Sequence, residues 1–146
     1  MPTDPAPLLV SACLLGVRCN HRGEASPSAV VEALGDRYRL VPICPETAGG
    51  LPTPRAAAEI QADGSVRTAD GSDVSPWYQR GAAAAVALAQ SVGATAAVLK
   101  ARSPSCGCDA VYDGTFGRVL RPGRGVTAEA LVQAGIDVRS DESFDR

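Results

Sequence analysis

The sequence predicts an α/β domain built on a mostly parallel sheet, and three observations support this. Short apolar runs typical of buried strands recur along the chain, they alternate with helix-like segments, and two of them end directly at a cysteine. Such alternation favours parallel strands joined by right-handed crossovers. The chain has 146 residues, no internal repeat and no low-complexity linker, so it fits one domain over 1-146. We therefore expect a single doubly wound, Rossmann-like domain.

The N-terminal third contains a β-α-β unit. Leu8–Ala12 and Tyr38–Ile43 are apolar runs of strand length. Between them, Ser26–Leu34 predicts a helix, with Ser26 as its N-cap, a proline at the first helical position and Gly35 at its end.

The segment that follows is rich in turn-forming residues. Pro45–Pro54 is dense in glycine and proline and predicts a loop. Ala56–Asp73 contains the pairs Asp63-Gly64 and Asp70-Gly71, which predict further loop with a small hairpin.

The second half continues the alternation with a helix, a strand, a helix and a strand. These segments are, in order, Ser75–Ser91, Ala94–Lys100, Thr127–Ala134 and Ile136–Arg139. Ser140–Arg146 is polar and predicts a frayed tail.

Composition disfavours two classes of macromolecular partner. The formal net charge is -2, and no segment concentrates lysine or arginine as nucleic-acid binding requires. The longest apolar stretch, Gly81–Ala89, is far shorter than the ~20 residues that span a bilayer. Met1–Pro7 has neither the basic nor the apolar region of a signal peptide. We expect a cytoplasmic protein with no nucleic-acid or membrane partner; its oligomeric state is left open.

The placement of the cysteines predicts where a site lies. Five cysteines are an odd number, and in a reducing compartment they indicate metal or thiol chemistry rather than disulfides. Cys13, Cys44 and the loop Ser103–Cys108 each follow a predicted strand. Because ligands of parallel α/β sheets bind beyond the carboxyl ends of the strands, we expect these three segments to converge at one edge.

Spacing alone leaves the chemistry of this site open. Structural zinc usually takes paired C-x2-C spacings, which neither Cys13 to Cys19 nor Cys106 to Cys108 provides. Three separated thiolates suit an iron-sulfur cluster in which one iron lacks a protein ligand and can act as a Lewis acid. The competing interpretations are that the cysteines are small buried apolar residues, or that Cys106 and Cys108 cycle as a redox pair.

An ordered set of motifs extends over nearly the whole chain. They are SACLLGVRC (11–19), CPETAGGLPTPRAAAEI (44–60), GSDVSPWYQRGA (71–82), LKARSPSCGC (99–108), VYDGTF (111–116) and GVTAEAL (125–131). Together they resemble the bacterial 2-thiouracil desulfidase family, formerly classed as a domain of unknown function.

The resemblance implies a desulfidase that takes sulfur from the thiocarbonyl group of a small thiolated heterocycle, such as 2-thiouracil, without net redox change. It implies a 4Fe-4S cluster held by Cys13, Cys44 and Cys106, and catalytic roles for Glu46 and Ser103. The products would be sulfide and the oxo compound. The alternative is an iron-sulfur redox or sensing module without turnover.

One segment departs from the family's pattern, and several residues have simpler interpretations. After Cys19 the family continues Arg-Tyr-Asp-Gly, whereas this chain has Asn-His-Arg-Gly at 20–23, which bears on the substrate more than on the cluster. Glu46 could simply pair with Arg55, and Ser103 could be an ordinary turn residue. Cys108 lies outside the family's motif and is interpreted as an incidental thiol.

Overall fold

The computed structural model describes residues 4–143. Its strands are β1 (Ala6–Ser11), β2 (Tyr38–Ile43), β3 (Ala58–Ile60), β4 (Val66–Thr68), β5 (Ala96–Leu99), β6 (Ala110–Tyr112), β7 (Leu120–Pro122) and β8 (Asp137–Ser140). Its α-helices are α1 (Ala29–Ala33), α2 (Pro45–Ala48), α3 (Ser75–Val92) and α4 (Val126–Gln133). Within 4–143, no helix is long and apolar enough to cross a bilayer.

Four strands form a parallel sheet in the order β2-β1-β5-β8. The two central strands, β1 and β5, are buried on both faces, which is why they are continuous apolar runs. Val31 of α1 packs with Leu8 and Val10 on one face. On the other face, α3 and α4 pack over Leu9 and Leu99. The chain winds outward from β1 in both directions, so the predicted doubly wound, Rossmann-like α/β fold is confirmed.

The register of the sheet determines which residues meet at its carboxyl edge. β1 and β2 pair along their full length, and Ser11 lies opposite Ile43 at the end. On the other side of β1, Val10 lies opposite Val98 of β5. The segments that leave these three strands therefore start side by side.

Two antiparallel hairpins lie outside the parallel sheet. The hairpin predicted between Ala56 and Asp73 is present as β3 and β4, with Asp63-Gly64 in its turn. The second hairpin, β6 with β7, was not predicted, because residues 113–119 join its strands and this connection is longer than the short turns that mark a hairpin in a sequence.

Both predicted boundaries of α1 were wrong. The N-cap of α1 is Ser28 and not Ser26, because the Ser28 hydroxyl accepts the Val31 N–H while the Ser26 N–H donates to the carbonyl of Cys13. The α-helix ends at Ala33 and continues as a 3-10 turn through Asp36, so it does not close at Gly35. Tertiary contacts of the 26–28 segment with the turn after β1 thus moved the start of the helix.

Two further segments are more ordered than predicted. Pro45–Pro54 was expected to be a loop, but its first four residues form α2, which packs against α3. Ser140 was expected in a frayed tail, but it is the buried last residue of β8, and the Asp141 N–H donates to the carbonyl of Leu99. Residues 144–146 of that predicted tail lie outside the described part of the chain.

Candidate functional site

A cavity of about 600 Å³ opens at the carboxyl edge of the parallel sheet. All five residues singled out from the sequence line it: Cys13, Cys44, Glu46, Ser103 and Cys106. They come from three different strand ends, so the expected convergence is what the structure shows.

The backbone after each strand explains how the cysteines reach the cavity. Cys13 lies in a 3-10 turn, Ala12–Leu15, that follows β1 directly. Cys44 is the N-cap residue of α2, at the junction with β2. Cys106 lies in the loop after β5 and is buried at 5% exposure.

Ser103 shapes the loop that carries Cys106. Its hydroxyl oxygen accepts the N–H groups of Ser105 and Cys106, both at 3.1 Å, and its carbonyl accepts the Gly107 N–H at 2.9 Å. Ser103 is therefore a turn residue, as its simpler interpretation held, and it also lines the cavity. Since the oxygen accepts both bonds, the hydroxyl proton stays available to a molecule in the cavity.

Burial raises the pKa of three of the thiols that line this cavity. Burial, with the nearby Cys44 second, raises the pKa of Cys13 to about 11. Burial also raises the pKa of Cys19 and of Cys106 to about 12 each. Because thiolates are the metal-binding form, any metal that binds here must displace these protons.

The donor arrangement differs from that of a single-ion site. Among residues 4–143, no three His, Cys, Asp or Glu side chains converge closely enough to share one metal ion. A tetrahedral zinc site requires such convergence. The ligands of an iron-sulfur cluster each bind a different iron, so three cysteines spread around a cavity fit a cluster better than an ion.

The two remaining cysteines lie in different places. Cys19 also lines the main cavity, and the Cys44 thiol donates to its carbonyl at 3.6 Å. Cys108 lines a second, open cavity of about 400 Å³ with Gly123, Arg124 and Glu129. Only the first cysteine of the Cys106-x-Cys108 pair therefore faces the main cavity.

Glu46 is held at the cavity by two side chains that donate to the same oxygen. Arg55 Nε donates to Oε2 at 2.8 Å, and the Tyr78 hydroxyl donates to Oε2 at 3.1 Å. The side chains of Arg55 and Glu46 are 5% and 14% exposed, so this ion pair is largely buried. Both bonds fall on Oε2, so Oε1 is the oxygen that can accept a proton from another molecule.

Two glycines bring Glu46 and Tyr78 together. A Cβ on Gly81 of α3 would lie 2.0 Å from the carbonyl oxygen of Pro45, and one on Gly49 would lie 2.0 Å from that of Trp77. Only glycine therefore permits this approach of α2 to α3. Burial, and then the Glu46 carboxylate, raise the pKa of Tyr78, so its hydroxyl stays a donor.

Arg55 connects Glu46 to the segment that carries Cys19. Its Nη2 donates to the carbonyl of Cys19 at 2.9 Å, and its Nη1 donates to Pro52 and Thr53, both at 3.2 Å. Burial alone would lower the pKa of Arg55, but the charge and hydrogen bond of Glu46 outweigh it and raise the pKa. The simpler interpretation of Glu46, that it pairs with Arg55, is thus observed.

Arg55→Ala should lower the free energy of unfolding by about 3–5 kcal/mol, because it leaves the buried Glu46 carboxylate without its counter-ion. Urea unfolding of the metal-free protein measures this. Arg124→Ala is the matched control, since its pair with Glu129 is exposed and should contribute less than about 1 kcal/mol. Equal effects of the two substitutions would contradict a buried, structurally important Arg55.

Further residues line the cavity beside the predicted site residues. Lys100, the chain's only lysine, follows β5, and its charge opposes the rise in the pKa of Cys13. Tyr112, Phe116 and Arg118 reach the cavity from the unpredicted hairpin. Two of these, Tyr112 and Phe116, lie within the VYDGTF motif, which was the one available signal.

Comparisons with known proteins agree with this geometry. The profile of the family described as 2-thiouracil desulfurase matches residues 8–143. The uncharacterized protein YbbK of Bacillus subtilis (strain 168) is 40% identical over an alignment of 146 positions, which covers 94% of this chain and 97% of YbbK. A solved structure of TudS, described as a 4Fe-4S-dependent thiouracil desulfidase, is 41% identical with a TM-score of 0.89 and covers 96% of this chain and 93% of that one.

Proposed function

Because this chain belongs to the 2-thiouracil desulfurase family, we propose that it is an iron-sulfur-dependent desulfidase. Its cofactor is a 4Fe-4S cluster, the group on which the similar protein TudS depends. Its substrate is a small thiolated heterocycle such as 2-thiouracil, and its products are sulfide and the oxo compound.

One observation carries this proposal: Cys13, Cys44 and Cys106 line one cavity although they follow three different strands. Three thiolates and no fourth ligand would leave one iron open. Such a cluster supplies a Lewis-acidic position for the sulfur of a thiocarbonyl group. The cavity of about 600 Å³ is within the size range of pockets that take small ligands.

The side chains around the cysteines provide the acid-base chemistry. Glu46 accepts a proton from a water molecule through Oε1, and that water attacks the thiocarbonyl carbon of the substrate. Arg55 and Tyr78 fix the carboxylate through Oε2, so its free oxygen keeps one orientation. Ser103 orients the substrate or returns a proton through its hydroxyl.

The overall reaction is a hydrolysis. The carbon exchanges its two bonds to sulfur for two bonds to the oxygen of water, and sulfur leaves as sulfide with the protons of that water. No electrons are transferred to or from the substrate.

Anaerobic reconstitution with iron and sulfide tests the proposal. The protein should become brown with about four iron and four sulfide per chain, the composition in the description of TudS, and should release sulfide from 2-thiouracil. Exposure to air or a chelator should remove both colour and activity, because the open iron is accessible to oxidants.

Three results would contradict the proposal. A colourless protein with one zinc would exclude the cluster. A fully loaded protein that releases no sulfide from any thiolated heterocycle would favour a redox or sensing module. Activity that survives removal of iron would favour thiol chemistry.

A further inference from the structure

Two aromatic residues of the cavity, Tyr112 and Phe116, have no role in the proposed reaction. Three of the five aromatic residues within 4–143 line the cavity: Tyr78, Tyr112 and Phe116. Tyr78 is buried and its hydroxyl is engaged with Glu46. The half-buried Phe116 has no polar group to satisfy, so its ring is suited to contact a ligand and not to form hydrogen bonds.

A residue of β3 holds the loop that carries Phe116 through hydrogen bonds. Oε1 of Glu59, on β3, accepts the N–H of Gly114 at 3.0 Å and the N–H of Phe116 at 3.1 Å. The same loop is closed by the Asp113 N–H, which donates to the carbonyl of Val119 at 2.9 Å. Phe116 is thus fixed at the cavity by a contact with β3 in addition to a bond within its own hairpin.

The backbone conformation of Phe116 is unusual. Among residues 4–143, three residues other than glycine have positive φ: Arg102 at 67°, Phe116 at 59° and Arg118 at 61°. All three line the cavity. A bulky residue rarely adopts this left-handed conformation, and such residues concentrate at ligand sites where the surroundings enforce them.

We propose that Phe116 stacks on the ring of the heterocyclic substrate and that Glu59 is the positioning residue that holds it there. This inference rests on the proposed function for the reaction. It concerns the binding of the substrate's ring, which can be measured without turnover. It follows that the enzyme favours planar heterocyclic thiocarbonyl compounds over acyclic ones such as thioacetamide.

Phe116→Gly is the sharpest test, because glycine adopts a φ of 59° without strain and the loop should keep its shape. Calorimetry on the anaerobically reconstituted protein should show uracil binding weakened about 10-fold or more, the range of a lost stacking contact. Phe116→Tyr keeps the ring and should bind uracil as the parent does. Val119→Ala, an exposed change in the same loop that is outside the cavity lining, is the matched control.

The role of Glu59 has its own readout. Glu59→Ala should raise KM for 2-thiouracil while kcat changes little, since Glu59 contacts the loop and not Glu46 or the cysteine thiols. Glu59→Gln should restore KM, because an amide oxygen also accepts the two N–H groups. A purely structural role would instead lower the amount of folded, loaded protein and leave KM unchanged.

The outcomes separate this inference from the proposed function. Loss of uracil affinity in Phe116→Gly supports the inference even if no sulfide is released. Desulfidase activity with unchanged uracil affinity and unchanged KM in Phe116→Gly overturns it while the proposed function stands. It is also overturned if the parent protein shows no uracil binding at millimolar concentration.

Discussion

Cys13→Ala, Cys44→Ala and Cys106→Ala are each expected to abolish or strongly reduce cluster loading. Each residue follows a different strand of the parallel sheet, so each holds a position that the other two cannot take. Iron and sulfide per chain after anaerobic reconstitution measure the loss. Circular dichroism of each variant should still show the α/β fold, because all three changes remove one small side chain.

Cys108→Ala is the control in this series. Its thiol lies in the second cavity, so loading and activity should match those of the parent protein. Loss of the cluster in Cys108→Ala, or full loading in any of the three ligand variants, would show that the ligand set is wrong.

Cys19→Ala decides whether the cavity holds three ligands or four. Its thiol lies at the same cavity, beside Cys44. With three ligands, the variant should load fully, and electron paramagnetic resonance of the reduced cluster should respond to added hydrosulfide as the parent does. If Cys19 is a fourth ligand, its removal should expose an iron and increase that response.

Glu46→Gln is expected to keep the cluster and to bind a thiolated pyrimidine while losing about 100-fold to 10,000-fold in turnover. Glutamine preserves size and can still accept hydrogen bonds from Arg55 and Tyr78. It cannot accept a proton from water. Sulfide release under saturating 2-thiouracil, normalised to iron content, is the measurement.

Ser103→Ala is the comparison for Glu46→Gln. A hydroxyl that orients substrate should contribute less than the base, so the loss of turnover should be smaller. Because the same hydroxyl accepts the Cys106 N–H, cluster loading has to be measured first. Unchanged turnover in a loaded Glu46→Gln protein would refute its role as base, and a larger loss in Ser103→Ala would move that role to Ser103.

Much of the fold could be predicted because its signals are local. The apolar run Tyr38–Ile43 has the bounds of β2, and the long helix from Ser75 follows from a proline at its start and an alanine-rich sequence. The position of the cavity followed from the same pattern, since parallel strands place their carboxyl ends at one edge. The family's motifs then indicated which of the converging residues to consider.

What the sequence alone determined is therefore the parallel sheet, the edge at which Cys13, Cys44 and Cys106 meet, and the candidates Glu46 and Ser103. Only the tertiary structure decided how these side chains are held. The Tyr78–Glu46 hydrogen bond joins residues 32 positions apart and exists because two glycines let α2 and α3 approach closely. Phe116 reaches the cavity because Glu59, 57 residues earlier, binds its N–H. Such contacts depend on packing between distant segments, which leaves no periodic or local signal in the sequence.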